Sequence, residues 1–233
     1  MKTPAASLLA TSLFAVVVAL STSKESIGAV VSGPVAYTST ADIPAGFYAG
    51  GNPTALEDFE DGTLDFGISA SSGFVFSGEP TVDSVDADDG VIDGSGLDGR
   101  SWAVLQTGES TSVTFTFSGA LPTAAALVWT DGAIGSTVRF EAFGAGMISL
   151  GEFGPFSFPD ATNTGTTAED RFFGVRETAG VLAVRLTNDG GGVGGIEVDH
   201  VQFGTAVPEP ASSLILGALA CTIALRRPRR CRG

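Results

Sequence analysis

Cysteine is almost missing from this chain. The two that occur, Cys221 and Cys231, both lie close to the C-terminus. The long middle of the chain therefore has no intradomain disulfide, no thiolate nucleophile and no cysteine-based metal site. Histidine is scarcer still. His200 is the only one, which excludes a His-pair metal site and a metalloprotease helix. Basic residues are few, 12 Lys and Arg against 26 Asp and Glu, for a formal net charge of −14. No glycine-rich loop opens a helix, so no nucleotide fingerprint is present. No helix of any length and no internal repeat can be read in the middle of the chain.

The two ends differ from the middle. Lys2 precedes an apolar run from Leu8 to Leu20, followed by polar residues and then Ile27-Gly28-Ala29. A basic start, a short apolar core and a small residue at the cut predict a signal peptide over residues 1–29. At the other end stands Val207-Pro208-Glu209-Pro210. An uncharged segment, Ala211 to Leu225, follows it, and then Arg226, Arg227, Arg229, Arg230 and Arg232. As a helix the segment spans roughly 22 Å, short of a bilayer core of about 30 Å. The arginine cluster behind it holds to the cytoplasmic side, and its long side chains extend the anchor by snorkelling. Residues 211–225 are thus expected to be a transmembrane helix, with the body outside.

With both ends set aside, Val30 to Pro210 keeps only five arginines and all but one of the acids, so its charge is near −20. Such a surface repels nucleic acid, and no nucleic-acid partner is expected. Glycine, threonine, serine, valine and phenylalanine dominate this body. Val113-Thr114-Phe115-Thr116-Phe117 alternates apolar with polar, and Val181 to Leu186 does the same with Arg185 on the far face. Val138 to Phe143 alternates and slips at its end. Ala125 to Trp129 reads as a strand buried on both faces, and Ile196 to Phe203 closes the domain. Turn signals fall between them at Gly119, Leu121-Pro122, Asp131-Gly132, Pro159-Asp160 and Asn188-Asp189-Gly190. The expected fold is all-β, a sandwich or jelly roll over residues 30–206. Ala206-Val207-Pro208 is a short linker to the tail.

The tripartite tail resembles the PEP-CTERM sorting signal: Val207, Pro208, Glu209 and Pro210, then Ala211 to Leu225, then arginines from Arg226. That resemblance implies recognition by an exosortase, a membrane-embedded transpeptidase-like enzyme of Gram-negative bacteria that make exopolysaccharide. It implies removal of the tail near the motif and delivery of the body to the envelope or matrix. The body is also similar to jelly-roll domains found ahead of such signals. The segments that carry this likeness are Leu56 to Glu60, Asp83 to Gly90 and Gly195 to Phe203.

Two acidic groups are candidate calcium ligands, since hard cations take several oxygens. Asp83, Asp86, Asp88, Asp89 and Asp93 form one, but their spacing does not match an EF-type loop, and a solvated acidic loop is the simpler explanation. Glu57, Asp58 and Glu60 with Glu197 and Asp199 form the other, on the first and last strands. There the alternative is charge that guards a strand edge. On a regular strand Glu197 and Asp199 share one face, while Asp199 and His200 point apart. Glu169-Asp170-Arg171 reads as a turn with a local ion pair. Trp129 is assigned to the core, and Trp102 is the candidate platform for stacking a sugar. The functional expectation is an exported, non-enzymatic envelope or matrix protein. The alternatives are a calcium-dependent carbohydrate-binding module and, behind it, a glycoside-active enzyme using paired carboxylates.

Overall fold

The alternation read in Val113 to Phe117 sorts its side chains as period 2 requires. Val113, Phe115 and Phe117 are buried, and Thr114 and Thr116 lie on the other face. In the computed structural model, described over residues 28–78, 82–85, 99–107, 110–132, 137–158, 170–189 and 193–208, this pattern recurs strand after strand. The strands are β1 (Val30–Ala36), β2 (Ala55–Glu57), β3 (Ile68–Ala70), β4 (Phe74–Ser77), β5 (Arg100–Thr107) and β6 (Thr111–Phe117). They continue with β7 (Ala124–Gly132), β8 (Thr137–Gly144), β9 (Ile148–Phe156), β10 (Arg171–Arg176), β11 (Ala183–Asp189) and β12 (Val193–Gly204).

Two antiparallel sheets result. One runs β1-β10-β7-β12-β5-β4, with β2 also paired to β12; the other runs β3-β6-β11-β8-β9. The fold is all-β and sandwich-like. Their facing sides enclose Val113, Phe115, Leu127, Phe140, Phe173, Val184 and Leu186, among others. Arg139 and Glu141 of β8 point outward, to Glu152 of β9 and to Ser149 and Arg185. The slip at the end of that strand also has a cause. Phe143 lies on the outer face beneath the Arg185 guanidinium, 4.7 Å from ring centre to cation, and the charge covers it.

β7 is buried on both faces because the first sheet carries a second apolar layer. Tyr37, Ile43, Phe47 and Tyr48, from the chain after β1, pack with Ala124, Ala126, Val128 and Phe172 on the side away from the other sheet. Phe47 stands edge-on to Tyr48 and to Phe172. Gly174 makes room for it, since a Cβ there would sit 2.5 Å from the Phe47 ring.

The strand directions bring both ends of the described chain together. Val30 pairs with Arg176, Arg176 with Ala124, and Ala124 with Gly204. The folded part runs on to Ala206, which bridges Tyr48 and donates its N–H to Thr123 Oγ1 at 2.8 Å. Gly28, Val30, Ala206 and Val207 line one shallow recess there with Arg176, Glu177 and Thr178. Residues 1–27 of the expected signal peptide, 1–29, lie outside the described residues, as do Glu209, Pro210, the apolar segment 211–225 and the arginines that follow. Among the described residues no helix is long and apolar enough to cross a membrane.

Candidate functional site

Four of the acids read from the sequence are buried, whereas Asp58 is half-buried and Glu60 exposed. Glu57, Asp83 and Glu197 are nearly inaccessible, and Asp199 wholly so. A carboxylate leaves water only when hydrogen bonds replace its hydration. Here they do. Glu197 Oε1 accepts from the Asp83 N–H at 2.8 Å and from the Ser101 hydroxyl. Asp199 Oδ2 accepts from the Val85 N–H at 2.9 Å and the Ser84 hydroxyl at 3.1 Å. Its Oδ1 accepts from the His200 N–H at 2.6 Å. Two carboxylates on one face of β12 thus hold residues 83–85 against the sheet, and Val85 enters the second apolar layer. Gly99 permits the approach, because a Cβ there would lie 2.2 Å from Ser84 Oγ.

Burial pushes the Glu197 carboxyl up to about 7, against the opposing pull of its bonds from Ser101 and Asp83. It pushes Glu57 up as well, while the N–H groups of Asp65 and Phe59 pull the other way. Glu57 accepts from both of those N–H groups and so shapes the loop that follows β2. Glu60 does the same for a different junction. Its carboxylate accepts from the Arg100 N–H at 2.6 Å, and its carbonyl accepts from the Arg100 guanidinium.

The strands that bear the second acidic group do meet, since β2 pairs with β12. Glu57, however, is opposite Val201, a core residue, whereas Glu197 and Asp199 face the other way. Paired residues share a face, so Glu57 stands on the opposite side of the sheet from Glu197 and Asp199. That register keeps Glu57 from sharing an ion with them. Among the described residues no three acidic, histidine or cysteine side chains are placed to hold a metal. Asp86, Asp88, Asp89 and Asp93 lie outside the described residues. The edge-guarding explanation also fails for Glu197 and Asp199, because β12 is a central strand.

A bulge alters the expected neighbours. The register between β12 and β7 shifts between Asp199 and Gln202, and His200 there has φ of 45°. An extra residue breaks the alternation, so Asp199 and His200 do not point to opposite faces as a regular strand would require. The His200 ring shares a 2.9 Å hydrogen bond with the Tyr37 hydroxyl, below the second apolar layer. Neither the bulge nor that layer has a signal in the local sequence. Asp170 likewise is fully buried rather than part of an exposed turn, and Arg171 lies over the Phe158 ring at 5.1 Å.

No family model matches this chain, and no curated protein matches it. Its chemistry rests on its own geometry, and that geometry removes the candidate sugar platform. Trp102 is 9% exposed. It packs between Phe59 and Phe115, at 5.8 and 6.1 Å, and donates its indole N–H to the Ser72 carbonyl at 2.8 Å. Gly73 opens the space for that bond, since a Cβ there would sit 2.3 Å from the indole nitrogen. Trp129 is in the core as expected. Both indoles are therefore expected to emit as buried groups, with iodide quenching far below that of free tryptophan. Strong quenching of the folded protein would place one of them at the surface.

Proposed function

We propose that this chain is an exported, non-enzymatic envelope or matrix protein whose sandwich domain is handed over by a PEP-CTERM-type tail. The observation that carries the reading is the order Pro208-Glu209-Pro210, apolar Ala211 to Leu225, and arginines from Arg226. The end of the described chain supports it. Among the described residues Ala206 is the last one bonded into the sandwich, Val207 is half-buried and Pro208 is exposed. A sorting enzyme needs its motif outside the packed domain, and the motif, Val207 to Pro210, begins next to Ala206. The kinship of the body with jelly-roll domains belongs to the same reading. So does association with exopolysaccharide after release. The carbohydrate-binding alternative has lost the aromatic surface assigned to it, because Trp102 is in the core.

The test is the mass of the C-terminal peptide after expression in a host that carries an exosortase. The natural chain is expected to end near the motif and to leave the membrane fraction. Replacing Pro208, Glu209 and Pro210 together by alanine is expected to leave the full tail in place and the protein in the membrane. Identical C-termini for the two chains would sink the sorting reading.

A further inference from the structure

We propose that the end of the sandwich where the described chain begins and ends is a bilayer-facing surface, seated on lipid by Phe66, Met147 and Ile148. The inference rests on the reading of the tail as a membrane anchor, and it adds a second point of contact that the tail does not contain.

Three observations place it. First, six large apolar side chains are exposed among the described residues, and three of them are at this end. Phe66 is fully exposed, Ile148 is 68% exposed and Met147 is 43% exposed. Phe66 directly precedes the segment in which Gly67 accepts from Ser118 and Ile68 pairs with Phe117. Met147 and Ile148 form the connection from β8 to β9, where Gly144 pairs with Ile148. β3 and β9 are the two edges of their five-stranded sheet. Four strand spacings therefore separate the two apolar corners, roughly 19 Å. The tail leaves from the other sheet, after β12. These three points make a triangle, and a triangle fixes a tilt where a single tether leaves it free.

Second, the backbone presents one of these residues at a cost. Met147 has φ of 59°, in the left-handed region that a side chain other than glycine rarely adopts. An apolar residue held this way at a hairpin tip, with 43% of it exposed, is explained by a partner that takes apolar groups.

Third, this end carries few charges in a strongly acidic protein. Its segments are 28–29, 49–54, 64–67, 118–123, 145–148, 177–182 and 205–208; Asp65 and Glu177 are the only charged residues in them, with Arg176 at the end of β10 beside them. Glu177 is buried, and its carboxylate accepts from the Ala179 N–H and the Thr178 hydroxyl. The remaining acids would repel an anionic lipid surface; this end has little to repel it with. The chain length closes the argument. The apolar run begins at Ala211, three residues beyond Pro208, so even extended chain lets it start only roughly 10 Å away. An anchored domain must meet the headgroups with this end, and apolar side chains seat naturally at that boundary.

The experiment uses the full chain in phosphatidylcholine nanodiscs, in which both leaflets face the medium. An environment-sensitive fluorophore is placed on single cysteines, in a Cys221→Ser and Cys231→Ser background. Phe66→Cys and Ile148→Cys are the test positions. Leu105→Cys is the control, an exposed apolar position on the far half of β5. Native Cys221, with Cys231→Ser alone, reports on the tail. Positions 66 and 148 are expected to show blue-shifted emission and iodide quenching reduced several-fold relative to position 105. A buried tail with positions 66 and 148 quenched like 105 overturns the proposal and leaves the anchor standing. A tail open to iodide overturns the anchor reading and takes this proposal with it.

Discussion

Replacing Asp199 by alanine is expected to destabilise the domain by about 4 kcal/mol. Three donors lose their acceptor at once: the Val85 and His200 N–H groups and the Ser84 hydroxyl. All three residues are buried, and each unsatisfied buried donor costs about 1–3 kcal/mol. For a domain of this size the unfolding midpoint should fall by roughly 10 °C. Asp199→Asn keeps one carbonyl acceptor in the same volume, so its loss should be about half as large. Ser84→Ala removes one donor together with its demand and should cost about 1 kcal/mol. Thermal unfolding of the three variants measures the series. If Asp199→Ala shifts the midpoint by no more than Ser84→Ala does, the carboxylate is not what holds residues 83–85 on the sheet.

The second large effect is a dependence on pH set by Glu197. Its folded carboxyl titrates at about 7, well above the ordinary 4.5, because burial penalises its charge. An acid with a raised folded pKa binds its proton more tightly folded than unfolded. Its contribution is therefore complete below pH 4.5, declines between 4.5 and 7, and is absent above 7. The loss over that window is about 3 kcal/mol. Asp42 acts in a separate window. The hydroxyl and N–H of Thr38 lower its carboxyl below 3.8, so its contribution disappears only in stronger acid. Glu197→Gln keeps an acceptor oxygen for Ser101 and Asp83 and carries no charge. It should flatten the curve between pH 4.5 and 7 and make the domain more stable than the natural chain at pH 8. Denaturant unfolding at pH 5, 6, 7 and 8 gives the comparison. Parallel curves for the two chains would show that Glu197 does not carry the dependence.

Both expectations arise from the same physical situation, acids placed where water is absent. Composition foretold an acidic surface, and Glu60, Asp61 and Glu152 lie on it. The latch on β12 does not. Period 2 correctly put Glu197 and Asp199 on one face, with Ile196 and Val198 on the core side. What that face meets is a matter of tertiary packing. Residues 83–85 lie more than a hundred positions away in the chain, and nothing in either segment announces the other. The same holds for Trp102. Its local neighbours Arg100 and Ser101 suggest exposure, but its ring is enclosed by Phe59 from the loop after β2 and Phe115 of β6.

The sequence by itself determined the all-β class, the phase of β6, β8, β11 and the first half of β12, the burial of β7 on both faces, and the order of Pro-Glu-Pro, apolar run and arginines in the tail. These are local properties. Alternation follows from the pleat, turns follow from glycine and proline, and an apolar run beside arginines needs no distant partner to be recognised. The tertiary structure decided which face of β12 is covered, that β2 and β12 put their acids on opposite sides, and that a bulge at His200 breaks the alternation. It also decided that the described chain begins and ends at one end of the sandwich, the same end that exposes Phe66, Met147 and Ile148. Those facts depend on which strands pair and in what register, and that choice is made by the whole core at once rather than by any segment of the chain.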